Sequence, residues 1–497
     1  MNATTTNAGK TLLMKTASEW LISVRDSRWW SFFVAITGLK IGVLALDPEP
    51  KIYPGDSFSY IWTAISGWIP DDRSFAYGFL VRWSSLWNGS LTSLVIIQTF
   101  LGAVIAAIVA WICWAIFKLP SRISYLFGIL CAIDPLQLAW ERYVMTETCS
   151  LFFYALVLQQ SFTYLRDRRV ITLLIIQILS LITIGFRMSY LISIQVMAVL
   201  LPIIAFMGEV NATSPLSISC LWRSFQFLKR PLFWKHLAAS VIALFVLDQV
   251  YQHTYGFLSR REPAHLHGTG YFLLAIWAPV LQPQDATDPR LAEIIIHGDD
   301  FGLREADLRN AQRFEPNGLV ARWCRIETDP QKSSEIAAST AFNAFRRNPA
   351  GVISLGVKTY LAYWSGHSIR KIARSDLKLK LPPRVQENGF KILAEQFHWA
   401  YRSQQQSLTS LYYIAASPWF FIILASPLLS LVLLAVAQNK RYALFLFSHA
   451  TVLLSSTFLL SLYPVPRFLQ PLSLLTLLTL ALVIKSWVCS GTISQTD

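Results

Sequence analysis

Charged residues are scarce in this 497-residue sequence: they make up 14% of it, against about 25% in an ordinary soluble domain. Hydrophobic residues make up 54%, so there are too few charges to solvate the surface of a soluble protein of this size. This balance excludes intrinsic disorder and a simple cytosolic enzyme. The six cysteines show no CxxC and no paired spacing, which excludes a disulfide scaffold and gives no sign of a zinc site.

The sequence is instead rich in long apolar runs, which are typical of transmembrane helices of about 20 residues. It predicts an all-α polytopic membrane protein with about ten transmembrane helices. The first apolar run begins at Trp29 and is predicted to be a retained span, because the residues before it are too polar for a signal peptide. The ten predicted spans are 29–46, 93–116, 123–139, 148–165, 170–186, 189–207, 236–252, 411–437, 442–461 and 469–488.

Two segments between spans are too long to be turns. Residues 47–92 are predicted to form a first outer loop of interfacial helices, and 253–410 a larger, mostly helical outer segment. The chain therefore divides into an N-terminal transmembrane module, 1–252, the extracytoplasmic region 253–410, and C-terminal transmembrane helices, 411–497.

The basic residues predict the orientation, because cytoplasmic loops collect Lys and Arg. If the N-terminus is inside, each short outer turn carries one arginine, and the inner segments carry Lys10, Lys15, Arg25, Arg28, Lys118, Arg122, Arg166, Arg168, Arg169, Arg223, Lys229, Arg230, Lys235, Lys440 and Arg441. Both termini are then cytoplasmic. The net charge of +14 follows from this bias and needs no nucleic-acid partner. The compact loops suit a plasma (inner) membrane, and an enzyme of the endoplasmic reticulum would show the same pattern.

Two carboxylates at the predicted outer edge are candidate catalytic groups. Asp56 opens the first outer loop after a Pro-Gly turn, and Glu147 stands where the fourth span begins. Each has a plain alternative as a helix cap or first-turn acid. A carboxylate held at the bilayer edge can also take a proton from a hydroxyl, which makes Asp56 a candidate general base.

Three outer arginines, Arg142, Arg187 and Arg467, are embedded in apolar sequence. Snorkelling to the interface is the structural explanation. Alternatively, their guanidinium groups grip a phosphate, and the prolines beside Arg467 favour this for it.

His265 and His267 lie in the large outer segment. They are interpreted as loop residues and substrate contacts. Two histidines with one residue between them could also bind a divalent metal, with Glu262 as the third ligand, but this is not indicated because no Cys or obvious carboxylate completes the set locally.

Four short segments resemble the GT-C superfamily of integral-membrane glycosyltransferases, with the protein O-mannosyltransferase and aminoarabinose transferase branches nearest. The order of tail, span, acidic first loop, many spans and large outer loop is similar along nearly the whole chain. The segments are Asp56-x-x-x-Tyr60, Arg142-Tyr143-Val144-Met145-Thr146-Glu147, Gly185-Phe186-Arg187 and Pro466-Arg467-Phe468-x-x-Pro471.

The resemblance implies an inverting transfer of a sugar from a polyprenyl-phosphate carrier to an acceptor hydroxyl of a glycan, lipid or protein on the outer face. It implies that Asp56 is the base and Glu147 a supporting acid, with no cofactor required. The residues that it assigns to substrate or phosphate contacts are Tyr60, Arg142, Arg187 and Arg467.

Other functions are also consistent with the sequence. A transporter or lipid flippase needs charges inside the membrane, and Lys40 with Asp248 is the pair that the spans suggest. The sequence shows no internal repeat, so the signature of many transporters is missing. A surface-glycan polymerase or ligase, and a non-catalytic assembly partner, are the remaining alternatives.

Overall fold

The computed structural model describes residues 27–53, 55–207, 225–378, 383–402, 404–437 and 439–493. Within these ranges the regular structure is helical, apart from one isolated parallel β-bridge between Lys51 and Tyr143. A helix satisfies its own backbone hydrogen bonds, which is what a chain in lipid requires. The all-helical expectation is therefore confirmed for the part of the chain that is described.

Among the residues that the structure describes, six helices are long and apolar enough to cross a membrane, and they lie in the N-terminal half and at the C-terminal end of the chain. This supports a helical membrane protein, although the count is lower than ten. The six are Arg28–Leu46, Thr92–Ile116, Met188–Phe206, Pro231–Ser259, Lys440–Leu459 and Pro466–Trp487.

Prolines account for part of the difference in count, because proline lacks a backbone N–H and disrupts a helix interior. The predicted span 123–139 divides into Ser121–Ala132 and Pro135–Trp140. The predicted span 411–437 divides into Leu408–Ala415, Ser417–Leu424 and Ser426–Val436, with a bend of 50° between the last two. This bent pair counts as a seventh span only if both halves are taken together.

The two remaining predicted spans, 148–165 and 170–186, lie in the helices Glu147–Asp167 and Val170–Phe186. In the first outer loop, the helices Asp56–Ser66 and Ala76–Val81 are followed by a π-helical turn, Arg82–Leu86. The helices of the outer segment are Thr269–Ile276, Pro289–Ile296, Arg309–Phe314, Leu319–Ile326, Pro330–Arg347, Pro349–Tyr363, Gly366–Asp376 and Pro383–Phe397.

The outer segment contributes to two hydrophobic cores. Residues between 271 and 352 pack around a core of their own, with Trp323 and Leu274 fully buried in it. The residues that follow, from Tyr363 to Trp399, pack into the main core of the apolar helices. The second half of the outer segment is thus attached directly to the helices that could span the membrane.

Gly270 allows two helices of the outer core to approach closely. A Cβ atom at this position would lie within 2.8 Å of the backbone nitrogen of Ala338 and even closer to the carbonyl oxygen of Ser334. We expect Gly270→Ala to destabilise the protein by about 1–3 kcal/mol, because backbone atoms must move to admit the methyl group. Thermal unfolding in detergent measures this. Gly366→Ala is the control, since its Cβ would make only an ordinary 3.6 Å contact with Phe421, and equal effects of the two substitutions would contradict the prediction.

Candidate functional site

A short backbone pairing brings the first outer loop beside the loop that precedes the fourth predicted span. The N–H of Lys51 donates to the carbonyl oxygen of Arg142 at 2.8 Å, and the N–H of Val144 donates to that of Lys51 at 2.9 Å. The hydroxyl of Ser57 then donates to the carbonyl oxygen of Val144 at 2.8 Å. This fixes the helix that begins at Asp56 against the second loop.

Asp56 is the first residue of its helix, and its carboxylate is held between two arginines. Gly55 precedes it with a φ of +79°, a conformation that glycine adopts without strain. Arg73 Nη2 lies 2.5 Å from Asp56 Oδ1, and Arg467 Nη1 lies 2.8 Å from Asp56 Oδ2. The Asp56 side chain keeps 18% exposure, so a small group can still reach it.

Glu147 and Arg187 complete this group of charges. Glu147 Oε1 lies 3.4 Å from Arg187 Nη1 and 3.7 Å from Arg467 Nη1. Arg467 therefore stands between the two carboxylates. We name this group the Asp56 cluster, and its members are Asp56, Arg73, Glu147, Arg187 and Arg467.

Aromatic rings form the walls around the arginines. The guanidinium carbon of Arg467 lies 4.3 Å from the centre of the Tyr53 ring. The Phe468 ring lies 5.3 Å from the guanidinium carbons of both Arg187 and Arg467. Such cation–π contacts fix the planes of the guanidinium groups without using their N–H donors, so the donors stay directed at acidic partners.

Four of the five members of the cluster stand at helix ends. Asp56 and Glu147 begin helices, Arg187 follows the helix Val170–Phe186, and Arg467 lies in the 3₁₀ turn Pro466–Leu469. The chain separation of 411 residues between Asp56 and Arg467 is closed by packing of the apolar helices. Four segments far apart in sequence thus share one edge of the helical bundle.

The two arginines control the ionisation of Asp56. Burial favours the neutral carboxyl group, but the positive charges of Arg73 and Arg467 outweigh it and hold the pKa of Asp56 well below its usual range. Tyr60, one turn further along the same helix, is buried, and burial together with the charge of Asp56 raises the pKa of its phenol. At neutral pH, Asp56 is a carboxylate and Tyr60 is a neutral phenol.

The arginines of the cluster offer donors to an anion. Three guanidinium groups face the carboxylates of Asp56 and Glu147, Arg73 is also paired with Asp72, and Arg187 is only 8% exposed. Its Nη1 has no hydrogen-bond partner among the residues that the structure describes. This nitrogen makes the 3.4 Å ion pair with Glu147 but no hydrogen bond, and an incoming phosphate oxygen would supply a charge-assisted one.

Arg73 is the member of the cluster that the sequence analysis did not single out. It sits in the first outer loop, where Arg73 Nη1 also contacts Asp72 Oδ1 at 2.6 Å and Ser59 at 3.2 Å. In the sequence it follows two acids in a polar loop, Asp71 and Asp72, a setting typical of a solvated charge. The only available signal was its position in the same loop as Asp56.

The outer segment holds the turn that carries Arg73. Arg261 contacts Asp71 at 2.9 Å, and the N–H of Gly268 donates to the carbonyl oxygen of Asp71 at 2.6 Å. Arg313 Nη2 lies 3.7 Å from Asp72 Oδ2. The large outer segment is therefore linked to Asp56 through ion pairs and this turn.

The titration of Asp56 tests the role assigned to Arg73. We expect Arg73→Gln to raise the pKa of Asp56, so that its protonated form appears at higher pH, because the nearest positive charge is lost. Infrared difference spectroscopy of the carboxyl stretch, with Asp56→Asn subtracted, measures this. Arg261→Gln is the matched control, since Arg261 contacts Asp71 instead. Indistinguishable titrations of wild type and Arg73→Gln would contradict the assignment.

Arg142, to which the resemblance assigns a substrate or phosphate contact, lies outside the Asp56 cluster. Its side chain is fully buried, and Arg142 Nη1 donates to Thr99 Oγ1 at 2.6 Å. Its backbone pairs with Lys51, as described above. The turn Trp140–Tyr143 directs this side chain into the helical bundle, so the arginine holds the loop in place.

His265 and His267 also lie away from the cluster, in separate contacts. His265 Nε2 lies 2.7 Å from Asp248 Oδ1, and His267 Nε2 lies 3.0 Å from Ser259 Oγ. Burial lowers the pKa of His267. Among the described residues, no group of three or more His, Cys, Asp or Glu side chains is placed to hold a metal ion.

The pair suggested for a transporter, Lys40 with Asp248, is not formed. Lys40 Nζ instead contacts Glu141 Oε1 at 2.6 Å, with both side chains buried, and Asp248 contacts His265. The sequence predicted the wrong partner because Glu141 was placed in an outer turn. The break at Pro135 brings Glu141 back against the first helix.

Comparison with known proteins identified no similar protein. A scan against protein-family models gives no match, and searches of curated proteins and of solved structures give none either.

Proposed function

We propose that this protein is an integral-membrane glycosyltransferase of the GT-C type. It transfers a sugar from a polyprenyl-phosphate carrier to an acceptor hydroxyl. One observation carries the proposal: Asp56, Glu147, Arg187 and Arg467 come from four distant segments and meet within ion-pair distance. These are also the residues of four motifs that resemble this superfamily.

The arginines supply the binding site for the donor phosphate. A polyprenyl chain stays in the membrane, so its phosphate lies at the bilayer edge beside the helix ends. Arg187 and Arg467 offer guanidinium donors there, and such groups bind phosphate oxygens with two parallel hydrogen bonds. The phosphate is also the leaving group, so its neutralisation in the transition state is a main part of catalysis.

Asp56 acts on the acceptor. Its carboxylate accepts the proton of the acceptor hydroxyl while the hydroxyl oxygen attacks the anomeric carbon of the donor sugar. The bond between that carbon and the phosphate oxygen breaks, and polyprenyl phosphate leaves with the bonding electrons. Because the attack comes from the side opposite the phosphate, the anomeric configuration is inverted.

The remaining residues support this reaction. Glu147 holds Arg187 and Arg467 in place and contacts the acceptor, and Tyr60 lies one helical turn beyond the base. No cofactor is required, because guanidinium groups neutralise the phosphate in place of a metal ion. The acceptor is a glycan, lipid or protein on the outer face of the membrane.

The proposed topology follows from the distribution of basic residues in the sequence. Ten spans, both termini in the cytoplasm and the Asp56 cluster at the outer face of the plasma (inner) membrane satisfy the positive-inside rule. Discontinuous helices such as Ser417–Leu424 and Ser426–Val436 then share one crossing.

Reconstitution into proteoliposomes tests the function. Purified protein is supplied with polyprenyl-phosphate sugars, and the release of polyprenyl phosphate is measured together with sugar incorporation into added membrane extracts. A glycosyltransferase cleaves the bond between sugar and phosphate. A flippase moves the intact lipid between leaflets and releases no polyprenyl phosphate, so lipid movement without cleavage would contradict the proposal.

A further inference from the structure

A basic face runs along the helix Gly366–Asp376 and continues into the turn that follows it, residues 377–378. The side chains on this face are separated by three or four residues, which is the spacing of one side of a helix. All are exposed, and they are His367, Arg370, Lys371, Arg374 and Lys378. The opposite side, with Ile369, Ala373 and Leu377, is buried in the main core.

An apolar stripe leads directly to this basic face. The preceding helix, Pro349–Tyr363, exposes Ile353, Val357 and Leu361 at intervals of four residues, and Trp364 extends the same side. Leu361 is 60% exposed and Ile353 52%. A row of exposed apolar side chains of this kind marks an interaction surface. At its C-terminal end, after Trp364, the row meets the basic face.

The two faces together have the chemistry of a lipid site. The basic residues line an open groove along one side of this helix, with a volume of about 710 Å³. The adjacent apolar stripe fits a hydrocarbon chain. We infer that Ile353 to Lys378 form a binding site for a phosphate-bearing lipid, separate from the Asp56 cluster.

The position of the surface favours a lipid in the bilayer. Arg370 Nε donates to Ser417 Oγ at 2.9 Å, and the Trp364 ring stacks on Phe421 at 5.9 Å. Both partners belong to the apolar helix Ser417–Leu424. The basic helix is thus attached to a membrane helix and also contacts the turn Pro466–Leu469 that carries Arg467. Basic residues at such a boundary attract anionic lipids.

Lipid binding by the full-length protein tests the site. Delipidated protein in detergent is titrated with cardiolipin, phosphatidylglycerol and phosphatidylcholine, and bound lipid is counted by native mass spectrometry. We expect the two anionic lipids to bind more tightly than phosphatidylcholine. Since each basic side chain near a lipid surface changes affinity by roughly fivefold, replacing Lys371, Arg374 and Lys378 by Gln is expected to weaken anionic-lipid binding on the order of 100-fold.

Matched variants separate this site from general charge effects. Replacing Lys332, Arg346 and Lys391 by Gln removes the same charge from the outer segment and is expected to leave binding unchanged. The double substitution Val357→Ser and Leu361→Ser is expected to weaken the binding of the lipids. It is expected to leave the binding of inorganic phosphate, measured by thermal shift, unchanged. Equal binding by wild type and the first triple variant, or stabilisation by inorganic phosphate alone, would overturn the inference.

A second measurement on the wild-type protein does not depend on any variant. A photoactivatable phosphatidylglycerol is cross-linked to the protein and the labelled peptides are mapped. Labelling of 353–378 that excess cardiolipin removes supports the site, and labelling confined to other helices overturns it. Neither measurement uses sugar transfer, so the inference stands or fails separately from the proposed function.

Discussion

Replacing Asp56 by Asn is expected to reduce sugar transfer by about 10²–10⁴-fold. The amide has nearly the shape of the carboxylate, and its oxygen can still accept a hydrogen bond from Arg73 or Arg467. The helix start at Gly55 and the loop pairing at Lys51 do not depend on the charge. The substitution removes the ability to accept a proton from the acceptor hydroxyl, together with the negative charge that pairs with Arg73 and Arg467, so folding is measured separately.

The release of polyprenyl phosphate in proteoliposomes measures this loss, with thermal unfolding in detergent as the check on folding. Asp299→Asn is the control, because Asp299 is 75% exposed and pairs with Arg304 at the surface. The control is expected to keep full activity. Wild-type turnover by a folded Asp56→Asn protein would remove Asp56 from the mechanism.

The substitution Arg467→Gln is expected to lower turnover by about 10²–10³-fold, the range measured when one preorganised donor to a developing negative charge is removed. Arg467 contacts Asp56 and stands within 3.7 Å of Glu147, so its guanidinium is central to the cluster. Arg467→Lys should not restore activity, because an ammonium group is a point charge and cannot bind phosphate oxygens through two parallel hydrogen bonds as a guanidinium does.

Binding of polyprenyl phosphate should weaken in the same variant, which separates a phosphate contact from a purely structural role. Arg402→Gln is the matched control, since Arg402 forms an exposed pair with Glu49 and such pairs contribute little. A protein with Arg467→Gln that binds polyprenyl phosphate normally and turns over at the wild-type rate would exclude Arg467 from the site.

Hydropathy was sufficient to predict the coarse fold, because a lipid-exposed helix needs a continuous apolar surface. Hydropathy did not predict the helix breaks at Pro135 and Pro427, because the mean hydropathy of an apolar run is the same whether its helix is straight or bent. The helices Ser121–Ala132 and Pro135–Trp140 show the consequence. A break of two residues changes the direction of everything that follows, including Glu141.

In the candidate site, Asp56, Glu147, Arg187 and Arg467 could be predicted from the sequence, because each charge interrupts apolar sequence at a predicted span end. Their partners could not be predicted, because they depend on the packing of distant helices. Arg142 fitted the same pattern but lies in the bundle, because a side chain's direction depends on the turn that carries it. Arg73 was missed because its neighbouring acids hide it in a polar loop.

A structure of the protein with polyprenyl monophosphate bound tests the central claim most directly. We expect phosphate oxygens within about 3 Å of the guanidinium nitrogens of Arg187 and Arg467, and we expect Arg467 to have moved away from Asp56. The carboxylate of Asp56 would then face open space on the acceptor side. A phosphate bound elsewhere, with Asp56 still held between Arg73 and Arg467, would contradict the account.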